Sequence, residues 1–177
     1  ASFGVQEFDP RVQQVINRVQ PPAMVEAATQ AMRAAGVEEV SYDLIYGLPF
    51  QTVESLRRTV IQATEMGPQR IALFGYAHVP WMAKNQRMMP EEALPGPGER
   101  AAQSEAAART LEALGYQRIG FDHFALPDDP LAVAAREGTL RRNFQGYTTD
   151  TAETLLGLGA TAITRTPQGF AQNLTET

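Results

Sequence analysis

Cysteine is absent from the 177 residues, so this stretch holds no disulfide, no thiolate metal ligand and no cysteine nucleophile. Histidine occurs twice, at His78 and His123, which is too few and too far apart for metal-ligand spacing. Lysine occurs once, at Lys84, so nearly all positive charge is arginine, a side chain suited to bidentate grips on carboxylate or phosphate. No apolar run approaches the roughly 18 residues of a membrane-spanning helix, and no basic-then-apolar leader opens the chain. The expectation is therefore a cytoplasmic protein with no membrane partner. A net charge of −5 and a pI near 5.1 argue against general nucleic-acid binding, which needs a basic stripe.

What is present is an ordinary globular composition, 44% hydrophobic and 20% charged, ordered as alternating strand and helix signals. "ASFGVQEF" alternates in the manner of a strand, and "PPAMVEAATQAMRAAG" reads as a helix with proline at its start and Gly36 as its stop. "VEEVSYDLIYGLP" is a second strand, "QTVESLRRTVIQATEMGP" a second helix with Thr52 as N-cap, and "QRIALFGYAHVP" a third strand. Strand, helix, strand, helix, strand describes successive βαβ units and a parallel sheet. Residues 91–100, "EEALPGPGER", form a loop before an alanine-rich helix ending at Gly115. "YQRIGFDHFALPDD" then reads as one further strand running into a loop, "PLAVAAREG" as a short helix, and the Gly/Thr-rich remainder as a closing strand or buried loop. The expected division is residues 1–90 as one βαβαβ half of a barrel and 91–177 as segments completing its side.

The first two strands carry polar residues where a closed barrel would pack branched apolar ones. Alternation puts Phe3 and Val5 on one face, with Ser2, Gly4 and Gln6 on the other; it separates Leu44, Tyr46 and Leu48 from Ser41, Asp43 and Gly47 in the same way. In the third strand Gly75 and Ala77 are candidates for that polar face, although Ile71 and Leu73 share their parity. Asp43 either accepts from a ligand in a wide lumen or is satisfied by an arginine or loop for structural reasons. Ligands on parallel α/β sheets collect at the carboxyl ends of strands, where Gln6 and Ala77 lie and over which Arg18 could fold. A guanidinium there would grip a carboxylate, and Gln6 with Asp43 would suit vicinal hydroxyls.

"SFGVQEFD", "VINRVQ", "DLIYGLPFQT", "FGYAHVP", "GFDHFA" and "RRNFQGYTT" followed by "LLGLGATAI" and "AQN" resemble, in one collinear order, the oxygen-independent coproporphyrinogen III oxidases. These are radical S-adenosylmethionine (SAM) enzymes of haem biosynthesis. The resemblance implies the C-terminal part of an incomplete (β/α)6 barrel, a [4Fe–4S] cluster held by cysteines outside this stretch, and two SAM molecules per enzyme. It implies an oxidoreductase in which a 5′-deoxyadenosyl radical takes hydrogen from propionate side chains of coproporphyrinogen III. Loss of CO2 then leaves the vinyl groups of protoporphyrinogen IX. By motif, Gln6, Arg18, Asp43, Ala77 and Ile163 match SAM contacts: Arg18 on the methionyl carboxylate, Gln6 and Asp43 on the ribose hydroxyls. A monomeric enzyme with an unnamed electron donor is implied as well.

Haem chaperones of the same superfamily share "GVQ" and the "DL-YGLP-QT" pattern; "INRVQ", "GFDHFA" and "NFQGYTT" favour the oxidase. Because the substrate carries four carboxylates, Arg141 and Arg142, then Arg87, are candidates to meet it. His78 and His123 would either move protons or bond structurally to loop carbonyls. Trp81 is expected to pack at the barrel mouth.

Overall fold

The computed structural model describes residues 1–175. Its main sheet has five strands in the order β1-β2-β3-β5-β4. Strands β1 (Ser2–Gln6), β2 (Ser41–Tyr46) and β3 (Arg70–Gly75) run parallel. They are joined through helices α1 (Pro10–Val15) and α2 (Pro22–Ala34), then α3 (Val53–Glu65). The third helix begins where expected: Thr52 and Ser55 form a reciprocal capping box, each side chain accepting from the other's backbone N–H. Helix α4 (Pro97–Ala113) packs beside α3 on one side of the sheet.

The sheet departs from the all-parallel expectation after α4. The segment read as one strand is a hairpin, β4 (Gln117–Ile119) and β5 (His123–Ala125), and β5 adds antiparallel to β3. Gly120, at φ +62, makes the turn; a Cβ there would overlap the Tyr147 hydroxyl, so only glycine serves. Helix α5 (Pro130–Glu137) follows. The Gly/Thr-rich remainder folds into two further hairpins, β6 (Arg141–Asn143) with β7 (Gly146–Thr148), and β8 (Ile163–Thr166) with β9 (Gly169–Gln172). A Leu155–Arg165 bridge ties the segment leaving β7 to β8. Among the described residues no helix is long and apolar enough to cross a membrane.

In-register partners share a face, so the pairings Tyr42–Ile71–Phe124 and Leu44–Leu73 define the side that α3 and α4 cover. These side chains, with Val5, Leu56, Val60 and Leu111, make the principal core. The opposite row is Gly4–Asp43–Ala72–His123–Ile119. At its β4–β5 end that face is closed by a small apolar cluster of Ile119, Ala125 and Ala132, with Leu140 and Tyr147 packed against it. Its β1–β2 end keeps the small and polar residues.

What fixes the carboxyl ends of β1 and β2 is a buried carboxylate. Glu7, 1% exposed, accepts from the backbone N–H of Phe8 at 2.8 Å and Asp9 at 3.0 Å, from the Thr59 hydroxyl, and from Gln51 Nε2 at 2.5 Å. Gln51 in turn accepts from the N–H groups of Gly47 and Leu48 and donates to the Ile45 carbonyl. Gln103 of α4 accepts from Gly47 N–H at 2.9 Å and donates to the Gln51 carbonyl. Replacing Glu7 by alanine strands several buried donors, each costing about 1–3 kcal/mol. Glu7→Ala is expected to destabilise the protein by about 3 kcal/mol or more in chemical denaturation and to lose hydrogen-exchange protection at Gly47 and Leu48. Glu7→Gln, which keeps an acceptor, should cost less than half of that.

Candidate functional site

The polar half of the inner face is built around the end of β1. A register shift between Gly4 and Gln6 brings Gln6 opposite Leu44, and Gln6 takes the left-handed backbone conformation at φ +67. A β-carbonless neighbour makes this possible: a Cβ on Gly4 would lie 2.6 Å from Gln6 Nε2 and 3.2 Å from Arg18 Nη2. The Gln6 side chain therefore lies across Gly4, on the polar face. Its Oε1 is the one buried side-chain acceptor without a partner among the described residues. A strained backbone and an unmet buried acceptor together cost on the order of 2 kcal/mol or more, a combination that marks ligand sites rather than scaffolding.

Arg18 reaches the same place from the loop after α1, donating through Nη2 to the Gly4 carbonyl at 2.7 Å and through Nε to Gln20 Oε1 at 3.3 Å. The loop is pinned by Gln13, which is 4% exposed. Its amide donates to the Glu7 and Gln20 carbonyls, and its oxygen accepts from Gln20 N–H. Arg18 is exposed and has no carboxylate within ion-pair distance among the described residues, so the guanidinium keeps donors to spare for an anion.

Asp43 stands next to Gly4 in register. Burial pushes its carboxyl above the ordinary value of 3.8, partly offset by the charge of His123 and a hydrogen bond from Ser2. His123 Nδ1 contacts Asp122 Oδ1 at 2.7 Å, and its ring meets Tyr147 edge-on with centroids 5.2 Å apart. Among the described residues no guanidinium lies within ion-pair distance of Asp43, which removes the arginine half of the structural alternative.

The structure thus gathers Gln6, Arg18 and Asp43 on one face. Ala77 lies in the loop leaving β3, its carbonyl held by Gln86 Nε2 at 3.1 Å. Ile163 sits in the separate β8–β9 sheet. Gly75 is a correction: it pairs with Tyr46, and a Cβ there would meet the Tyr46 hydroxyl at 2.9 Å. It therefore belongs to the helix-covered side, and the inner face of β3 is formed by Ala72 and Phe74. Trp81 does not pack at the mouth but is 71% exposed. His78 bonds to the Tyr76 hydroxyl and to Glu91 rather than to a loop carbonyl. Sequence reasoning passed over Glu7, Gln13, Gln51 and Gln103. A glutamate directly after the polar strand end was the only local signal for any of them.

No family model matches the chain. Over all 177 residues it is 50% identical to the oxygen-independent coproporphyrinogen III oxidase of Cereibacter sphaeroides, covering 39% of that protein. It is 53% identical over 173 residues to the protein of that name from Bradyrhizobium diazoefficiens, covering 98% of this chain and 38% of the relative. Among solved structures, it is similar to the coproporphyrinogen III oxidase of Escherichia coli, described as a radical SAM enzyme. The TM-score is 0.94 and the identity 44%, covering 99% of this chain and 40% of that one. The chain thus spans about two fifths of the length of the relatives it matches.

Because the folded state raises the Asp43 pKa, it binds more protons than the unfolded state. The group's contribution is then full below the unfolded pKa and is lost as pH rises through the folded one. Asp43→Asn is expected to raise the melting temperature of the ligand-free protein at pH 7, with the gain shrinking as pH falls toward the ordinary carboxylate value of 3.8. Thermal melts across that window decide it; a gain that grows on acidification would contradict the assignment.

Proposed function

We propose that this chain is the SAM-binding part of an oxygen-independent coproporphyrinogen III oxidase, an oxidoreductase of haem biosynthesis. The observation that carries the reading is the unpartnered Gln6 Oε1 beside Asp43 and Arg18, on a sheet face cleared by Gly4. Such a set matches a ligand with vicinal hydroxyls at one end and a carboxylate at the other.

Each group has a role set by its chemistry. Arg18, already anchored to the Gly4 carbonyl, offers its remaining N–H groups to the methionyl carboxylate, where charge-assisted bonds are strong. Asp43 accepts from ribose hydroxyls, and ionisation is favoured once those donors replace the water it has lost. Gln6 Oε1 accepts from the same sugar, recovering the hydrogen bond it lacks. Ala77 and Ile163 supply backbone and apolar contacts at the margins of two SAM sites. Bound next to a reduced iron–sulfur cluster, SAM supplies hydrogen-abstracting chemistry toward the substrate's propionates. This stretch fits the sugar and carboxylate of SAM but not the cluster itself: it has no cysteine, and no group of three or more potential ligands occurs among the described residues. The cluster ligands would come from the rest of the full-length protein.

The full-length protein, reconstituted anaerobically with iron and sulfide, is expected to convert coproporphyrinogen III to protoporphyrinogen IX, releasing CO2 and 5′-deoxyadenosine. Arg18→Ala should weaken SAM binding by about tenfold or more, the worth of one charge-assisted pair, with Arg18→Lys in between. A full-length protein that takes up haem without turning over coproporphyrinogen III would instead indicate the haem-chaperone alternative. A Cys-x3-Cys-x2-Cys-x-Cys run in the preceding coding sequence would support the oxidase.

A further inference from the structure

Most arginines of the chain have visible employment. Arg70 bridges Glu39 and Asp129, Arg109 and Arg118 meet glutamates of α4, and Arg33, Arg100 and Arg136 bond backbone carbonyls. Three others stand together on one cavity. Arg141, Arg142 and Arg165 line one cavity of about 590 Å³ between the β6–β7 hairpin and the Leu155–Arg165 bridge. Among the described residues none of the three lies within ion-pair distance of a carboxylate. Asp150 and Glu153 line the same space, and Asp150 also accepts from Ala152 N–H at 2.8 Å. Arg141 makes one long bond, 3.4 Å, to the Thr151 carbonyl.

The cavity is also linked to the site already described. Arg142 lies over the ring of its cross-strand partner Tyr147, 5.7 Å from the centroid. Tyr147 meets the His123 ring, and His123 shares the inner-face row with Asp43, with Ala72 between them. One row of side chains therefore runs from the SAM-facing carboxylate to the arginine-lined space. The row is held rigidly, because Tyr147 is seated over Gly120 and accepts from Phe121 N–H.

We infer that the cavity is the anchoring site for propionate carboxylates of the tetrapyrrole, with Arg142 and Arg165 as its principal grips. The three guanidiniums outnumber the two carboxylates of the lining, and the space favours an anion with several acceptor oxygens, which planar forks bind bidentately. A propionate held here lies at one end of the row whose other end is Asp43. Anchoring one arm of a four-armed substrate would hold another toward the SAM end. The inference rests on the oxidase reading for the identity of the ligand alone.

The test uses the full-length protein and coproporphyrin III, the oxidised tetracarboxylate that is not a substrate, titrated by its fluorescence. Arg142→Gln/Arg165→Gln is expected to weaken binding by about tenfold or more while SAM affinity stays unchanged. Arg165→Lys should lose only a few-fold. Glu153→Gln removes a negative charge from the lining and should tighten binding; it also serves where the double variant folds poorly. Unchanged affinity in the arginine variants, or weaker binding in Glu153→Gln, overturns the inference. So does absence of porphyrin binding by the unaltered protein. Turnover of coproporphyrinogen III is scored separately. A protein that turns over but binds independently of these arginines sinks the anchoring site and leaves the oxidase. Arginine-dependent binding without turnover does the reverse.

Discussion

One buried carboxylate holds the working end of this sheet. Glu7 has no cationic partner among the described residues, and it is stabilised wholly by donors: two backbone N–H groups, a hydroxyl and an amide. A carboxylate taken from water is tolerable only when its lone pairs are filled in this way. Each donor belongs to a different part of the site. The N–H groups of Phe8 and Asp9 turn the chain out of β1, Thr59 fastens it to α3, and Gln51 carries the constraint to the Gly47–Leu48 turn after β2. Gln13 extends it to the loop that presents Arg18 by bonding the Glu7 carbonyl.

The two faces of the sheet divide the remaining labour. The helix-covered face is packed with fully buried Tyr42, Leu44, Ile71 and Leu111, and supplies the hydrophobic stabilisation of the domain. The opposite face is closed by α5 and Tyr147 on the β4–β5 hairpin, with Gly4, Gln6 and Asp43 at its polar β1–β2 end. Burial of Ile119 and Ala125 on that face gives the polar half a dry flank.

Period-two patterning was readable in β1 and β2, whose faces differ sharply in polarity, and the helices were readable from their caps. It failed in β3, because Ile71, Ala72 and Leu73 are all buried and a strand buried on both sides has no alternation to read. Strands β4 to β7 have three residues each, too few for any period, so their hairpins and the antiparallel edge were missed. Of the site residues, Gln6, Arg18 and Asp43 were accessible as polar groups at strand ends. Gln51 and Gln103 were not, since their function depends on partners 44 and 52 positions away, and a glutamine in a helix or turn carries no mark of burial.

The same network ties the loop of Arg18 to the turn after β2. Arg18 and the Gly47–Leu48 turn are not in contact through a common side chain, yet both are referred to Glu7, one through Gln13 and the other through Gln51. Gln6 directly precedes Glu7, and its left-handed backbone is the hinge between strand and network. Gln6 is joined through Glu7 to the carbonyl that Gln13 holds. Strain of this kind persists only where the surroundings over-determine it, and four donors on one carboxylate do so here. The loop that carries Arg18 and the turn after β2 are thereby set by one reference, Glu7.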